Sequence, residues 1–399
     1  MILQNKQYYK LQTFLNSSLQ SHSVLDIDLS ENQISDKSAS SLGSALVNCA
    51  NLSNLTLNLN GNIIGDNGTS CLCSALAKCI NLSNLTLHLS RNKMNFEGTS
   101  NLGSAFAKIK NLQKLELNLS SSHISDDCAL DLGYALAKIK NLSNLKLDLS
   151  SSKICDDGVS GLGTALAECF YLSNLTLILN NNWIHSFGAS GLGFALAKFN
   201  ILSNLILYLN GNKIGDEGVL GLSSALGNCT DLTNLTLELG DNLIGDNGVS
   251  GLSSVLENCT DLEELTLNLH SNRIGDEGAH GLGSSLIKCT NLQNLTLILN
   301  DCQISDKGTS GLGSSLTKCT NLQNLALYFE SCQICGEGAS SLGQSLAKCT
   351  NLSNLKLYLH KNQIGDEGIS GLGFALANCN ILTNLKLDIR YKQFFCHKL

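Results

Sequence analysis

The chain of 399 residues contains no proline. That length ordinarily suggests two or three domains, yet no proline-marked linker separates any. Arginine occurs three times (Arg91, Arg273, Arg390), which nearly removes the residue most used to grip phosphate. Charged residues make up only 15% and the net charge is −7. Nucleic acid and anionic membranes both want a basic face, so neither is an expected partner. No apolar run approaches the roughly 18 residues of a membrane-spanning helix. The stretch Met1–Lys10 (MILQNKQYYK) lacks the basic-then-apolar layout of a secretory signal. What is abundant is apolar: 43% hydrophobic residues exclude a disordered, charge-rich polymer.

The apolar residues are counted out in a repeat of 30 residues without insertion or deletion. Twelve full repeats run from Ser21 to Asn380 and a thirteenth begins at Ile381. With Asn51 as repeat position 1, position 5 is leucine in all thirteen copies, Leu25 to Leu385. Positions 7 and 9 are nearly as strict, as in Leu57 and Leu59. This alternation is strand spacing with one face buried. Position 14 is isoleucine in eleven copies of twelve and Met94 in the other. The spacing then becomes helical: Gly68, Leu72, Ala75, Leu76 and Cys79 fall on one stripe at about 100° per residue. Aspartate holds position 16 in nine of twelve copies, among them Asp36, Asp66 and Asp276, and reads as a helix N-cap. Each repeat is therefore expected to be strand, turn and helix, stable only when stacked. Parallel strands about 4.8 Å apart against helices about 8–10 Å apart imply a bent stack with strands inside.

The pattern L-x-x-L-x-L-x-L-x-x-N-x-I-G-D-x-G-x-x-x-L-x-x-x-L resembles the leucine-rich repeat of the ribonuclease-inhibitor type, over residues 21–390. The copies with NLSNLTL and LGSALAKCT look most like leucine-rich-repeat proteins of ciliates. The resemblance implies a right-handed α/β solenoid, a horseshoe with parallel strands on the concave face and helices on the convex face. Residues 1–20 would form a capping segment, with Leu11, Phe14, Leu15 and Leu19 on a short amphipathic helix. Residues 21–390 would form the repeat domain and 391–399 a tail. Family repeats are typically shorter, which implies slightly longer strands here. The family's asparagine ladder maps onto position 12: Asn32, Asn62, Asn92, Asn182, Asn212, Asn242, Asn272 and Asn362. Its role is to satisfy backbone groups leaving the strand. Cys302 and Cys332 take the family's alternative, whereas Ser122 and Ser152 depart from it and should satisfy that stretch less well.

Nine of the seventeen cysteines recur at position 29, alternating with Ile109, Ile139 and Phe199, so they read as small hydrophobes. An odd total without a signal points to reduced thiols and a cytoplasmic protein. Cys332 and Cys335 have C-x-x-C spacing, but a zinc site needs about two more ligands and the repeat places only Cys302 near. His270 and His360 stand three repeats apart. No metal, cofactor or catalytic motif is therefore expected.

Information in such an array resides where the pattern leaves residues free. Position 8, facing outward, varies most and includes Ile178, Tyr208, Glu238, Tyr328 and Tyr358. The sharpest cluster sets Tyr328 and Tyr358 on adjacent strands, flanked by Lys356, Lys386, Glu330 and His360. Tyrosine is favoured at interface hot spots. Trp183, the one tryptophan, is a second candidate beside Ile178 and Tyr208. Exposed Phe194 and Phe374 would mark the helix side. The final strand (Leu385, Leu387, Ile389) lacks a following helix, and an open edge invites self-association, unless Phe394 and Phe395 fold over it. The expected function is a non-enzymatic scaffold for a protein partner. The alternatives are a regulator of a small GTPase, since the GTPase-activating protein of Ran uses this repeat, and a fragment of a larger signalling protein.

Overall fold

The computed structural model describes residues 6–122, 124–379 and 381–390. The chain divides into two compact units, Met1–Asn212 and Lys213–Leu399. In the N-terminal unit the described residues form eight parallel strands, from Lys6–Tyr8 to Asn204–Tyr208, each paired to its neighbour in chain order. In the C-terminal unit they form six helices, Gly215–Leu226 to Gly365–Ala377, and six strands, Asn234–Glu238 to Asn384–Asp388. Each unit is thus an open α/β repeat solenoid.

Strict 30-residue spacing fixes the strand register. Leu55 pairs with Leu85, and Leu325 with Leu355, so identical side chains stack along the core. Leu57, Leu59, Leu72 and Leu76 are at most 1% exposed, and burial of each contributes about 1.5–3 kcal/mol. The strands of the repeats span five residues each, but inter-repeat bonding runs beyond them. Ser83 N–H donates to Ser53 C=O (2.8 Å) before the strand, and Gly61 N–H to Ser90 C=O (2.9 Å) after it. In each of the twelve full repeats the chain then passes through a left-handed residue at position 11, which is glycine at Gly61 and Gly211 alone. Asn181, Asp241 and Asp301 occupy the same conformation, which short polar side chains tolerate best.

Three sequence expectations need correction. The position-16 aspartate lies inside the helix rather than at the N-cap: it is the first helical residue in most repeats and the second in Gly215–Leu226 and Gly365–Ala377. In helix Asp66–Leu76 the N-cap is Gly65, whose extended backbone (φ −100°) that role requires. The carboxylate instead reaches the next repeat: Asp66 Oδ1 accepts the N–H of Asn95 (2.8 Å) and of Gly98 (3.0 Å). Asp276 does likewise toward Ser305 and Gly308. The position-29 cysteine lies beyond its helix, which ends at Leu76 before Cys79, although Cys79 is buried. At the N-terminus, helix Leu11–Leu15 follows a strand, Lys6–Tyr8, that the sequence did not signal. Tyr8, Phe14 and His22 pack together, with Tyr8 Oη 3.2 Å from His22 Nε2. Of the helix's apolar residues only Phe14 is buried. Phe394 and Phe395 lie outside the described residues.

Candidate functional site

The outward strand face is built by positions 4, 6, 8 and 10, whose side chains point away from the leucine core. Rigid support comes from two asparagine ladders. At position 12, Asn62 Nδ2 donates to the carbonyls of Leu29 and Leu59, both at 2.9 Å. Its Oδ1 accepts the N–H of Asn32 (3.0 Å) and Ile34 (2.8 Å). Asn32 itself is exposed, and its Nδ2 donates to the Ser30 carbonyl (2.7 Å). Cys302 and Cys332 offer thiols to the carbonyls of Leu269 (3.5 Å) and Leu299 (3.2 Å). Ser122 reaches Leu89 only at 3.5 Å, and Ser152 turns to Ser150 at 3.3 Å. Neither supplies the acceptor that an asparagine offers to the neighbouring N–H groups.

The second ladder was not anticipated. At position 4, Asn324 donates to Asn294, Asn354 to Asn324 and Asn384 to Asn354, each at 2.5 Å. The recurrent Asn-Leu at positions 4 and 5 was its signal, hidden because outward polar residues at strand starts look like ordinary solvated surface.

In the C-terminal unit, Tyr328 and Tyr358 are register partners whose rings stack with centroids 4.4 Å apart and planes 7° from parallel. Burial and the facing ring push the Tyr328 phenol up from its ordinary value. Lys386 lies over the Tyr358 ring, Nζ 5.2 Å from its centroid, a favourable cation–π placement. Beside the stack, His360 Nε2 is 2.7 Å from Glu330 Oε1, and its Nδ1 is 3.9 Å from Asp388. Lys361 also pairs with Glu330, and Arg390 forks onto Asp388. The Lys361 ammonium holds Glu330 below the usual carboxylate range, with His360 adding to the effect against the opposing pull of burial. Arg390 does the same for Asp388. The structure thus brings Tyr328, Tyr358, Lys356 and Lys386 onto adjoining strands, with Glu330 and His360 in the turns just past two of them. Glu238, elsewhere in that unit, accepts from Asn268 at 2.5 Å.

In the N-terminal unit Ile178 and Tyr208 are register partners. Trp183 lies in the turn after the Ile178 strand, 54% exposed, with Lys153 Nζ 5.8 Å from its ring. Glu116 bridges Lys146 (2.8 Å) and His88 (3.6 Å) on the strand face. Phe194 and Phe374 are exposed on helices. An apolar hollow of about 490 Å³ lies between Tyr134, Ile139, Phe170 and Tyr171. Its signal in the sequence is that Phe170 and Tyr171 are both aromatic at a junction that between the other full repeats carries an asparagine or aspartate, as in Lys110-Asn111, Thr230-Asp231 and Thr290-Asn291.

The cysteines give this surface little chemistry. Burial pushes the thiols of Cys49, Cys79, Cys229 and Cys319 up to about 11. It pushes those of Cys169, Cys259, Cys289 and Cys349 to about 12. Uncharged, enclosed thiols are poor nucleophiles and ligands. Cys332 is buried while Cys335 is exposed, so the C-x-x-C pair does not share an environment. Among the described residues no group of three or more His, Cys, Asp or Glu could hold a metal ion. No helix among them is long and apolar enough to cross a membrane.

The leucine-rich repeat family model matches residues 20–43, 205–223, 231–253, 265–283 and 351–373. These five stretches are similar to the leucine-rich repeat, a module that generally serves as a protein-interaction scaffold. No curated protein matches significantly. Among solved structures, internalin C2 of Listeria monocytogenes is similar at 24% identity, over 64% of this chain and 83% of its own, with a TM-score of 0.38. A leucine-rich repeat protein of Leptospira interrogans is similar at 16% identity, over 96% of this chain and 100% of its own, also with a TM-score of 0.38.

Proposed function

We propose that this protein is a non-enzymatic interaction scaffold of the ribonuclease-inhibitor type, working in the cytoplasm. It holds a protein partner on the outward strand face of the C-terminal unit. The observation carrying this reading is the half-exposed Tyr328–Tyr358 stack, held by a rigid parallel ladder and ringed by charge. Stacked rings of fixed geometry present large contact area with little conformational entropy left to lose. Affinity capture with the purified chain, compared with Tyr328→Ala/Tyr358→Ala, tests it. Partner recovery should fall with the helical circular-dichroism signal unchanged. Equal recovery by both proteins would remove the tyrosines from the site.

A further inference from the structure

One place on the strand face is missing a charge that the same fold supplies elsewhere. In the N-terminal unit Lys146 stands at repeat position 6, and its register partner on the preceding strand is Glu116. The two form an ion pair at 2.8 Å. In the C-terminal unit Lys356 stands at the same repeat position, but its register partner is Ala326. The next strand adds Lys386 directly beside Lys356. Like charges on neighbouring strands repel. Among the described residues no carboxylate lies within ion-pair reach of Lys356 or Lys386. Glu330 and Asp388 are already engaged with Lys361, His360 and Arg390.

Ala326 also leaves space. A hollow of about 390 Å³ opens over it, lined by Asn294, Thr296, Asn324, Asn354 and Lys356. In the asparagine ladder each amide nitrogen uses one hydrogen on the preceding residue. Asn354 gives its second hydrogen to Ser353 Oγ (2.9 Å), whereas Asn294 and Asn324 keep an amide hydrogen available as a donor. The hollow therefore gathers an ammonium, amide donors and the Thr296 hydroxyl around a small apolar floor. That set suits an anion small enough to enter beside Lys356.

We propose that the hollow over Ala326 receives an aspartate or glutamate side chain of an acidic segment of the partner protein. The carboxylate pairs with Lys356 as Glu116 pairs with Lys146, and Lys386 and the tyrosine stack border the segment. This inference rests on the scaffold reading and specifies the chemistry of its partner.

The probe is fluorescein-labelled decaglutamate, titrated into the full chain by fluorescence anisotropy, with decaglutamine and single-stranded decathymidylate as comparators. Decaglutamate should bind at least about tenfold more tightly than either. Lys356→Gln should weaken it about tenfold, the scale of one charge-assisted contact. Ala326→Glu, which installs the missing carboxylate, and Ala326→Leu, which fills the hollow without charge, should each abolish the preference. Repeat position 6 already holds glutamate at Glu116 and a branched aliphatic of leucine's size at Ile206, and circular dichroism checks the fold of each variant. Equal binding of decaglutamine or decathymidylate, or unchanged affinity in Lys356→Gln or Ala326→Leu, would overturn the proposal. Partner capture lost on Tyr328→Ala/Tyr358→Ala yet kept in Ala326→Leu would leave the scaffold standing and remove only the acidic-segment assignment.

Discussion

The aspartate that crosses from one repeat to the next explains the glycine two residues into the following helix. A Cβ placed on Gly98 would stand 2.7 Å from Asp66 Oδ1, while its other neighbours, Met94 Cβ and Asp66 Cα, are at 3.4 and 3.5 Å. The carboxylate alone therefore forbids a side chain there. Gly98→Ala must displace the carboxylate from two backbone N–H groups. The resulting overpacking costs about 1–3 kcal/mol, offset by at most about 1 kcal/mol of improved helix propensity. Asp66→Ala removes the charge-assisted bonds, each worth about 1.5–3 kcal/mol. In the double variant the added methyl meets no carboxylate, so the Gly98→Ala penalty disappears and only the Asp66→Ala loss remains, reduced by the propensity gain. The two changes should thus be non-additive by about 1–3 kcal/mol, with the double variant more stable than the sum of the singles. Hydrogen exchange of the Phe96–Phe106 helix amides reads this locally, as suits an array that opens repeat by repeat. Additivity within about 0.5 kcal/mol would refute the coupling.

The buried cysteines make stability fall with alkali. Their folded pKa values of about 11–12 exceed the ordinary 9.0, so between those limits the unfolded chain releases protons that the folded one keeps. Stability then drops by up to about 1.4 kcal/mol per pH unit per thiol. The guanidinium midpoint should fall steeply above pH 9, and less so in variants carrying isoleucine at position 29; a pH-independent midpoint would contradict the burial argument. At the acid end the sign reverses. Glu330 and Asp388 are held below their ordinary values, so their contribution is complete above the unfolded carboxylate range and is lost as pH falls through the folded values. Carboxyl chemical shifts across an acid titration measure this directly, and a Glu330 midpoint at or above the ordinary value would negate the Lys361 pairing. Asn62→Ala should destabilise by several kcal/mol, since it strands two carbonyls and two N–H groups at about 1–3 kcal/mol each when buried. Denaturation midpoints check it, and a loss below about 1 kcal/mol would show that the ladder is dispensable.

Strand, helix and repeat order were legible because leucine spacing at positions 5, 7 and 9, then 22 and 26, admits one stacking solution. The aspartate misled for a physical reason. Its type and place before a helix match an N-cap, but its true partner is 29 and 32 residues away, beyond any local reading. The strand Lys6–Tyr8 was invisible because only three residues pair, 19 positions from their partners and outside the 30-residue period. The tyrosine pair was found because register alone places identical positions side by side. The hollow beside it was not, since it depends on what Ala326 lacks, and an alanine carries no chemical signal until its neighbours are known.

Repeats that look interchangeable are in fact matched along the chain. Phe96 stands where most repeats have aspartate, and the following repeat carries Cys128 where most have glycine. Excising residues 81–110 would keep the 30-residue phase yet set Asp66 against the side chain of Cys128. Duplication and loss of modules in this chain are therefore constrained at each seam by the pair of residues that meet there, and shuffled or shortened designs should be drafted two repeats at a time.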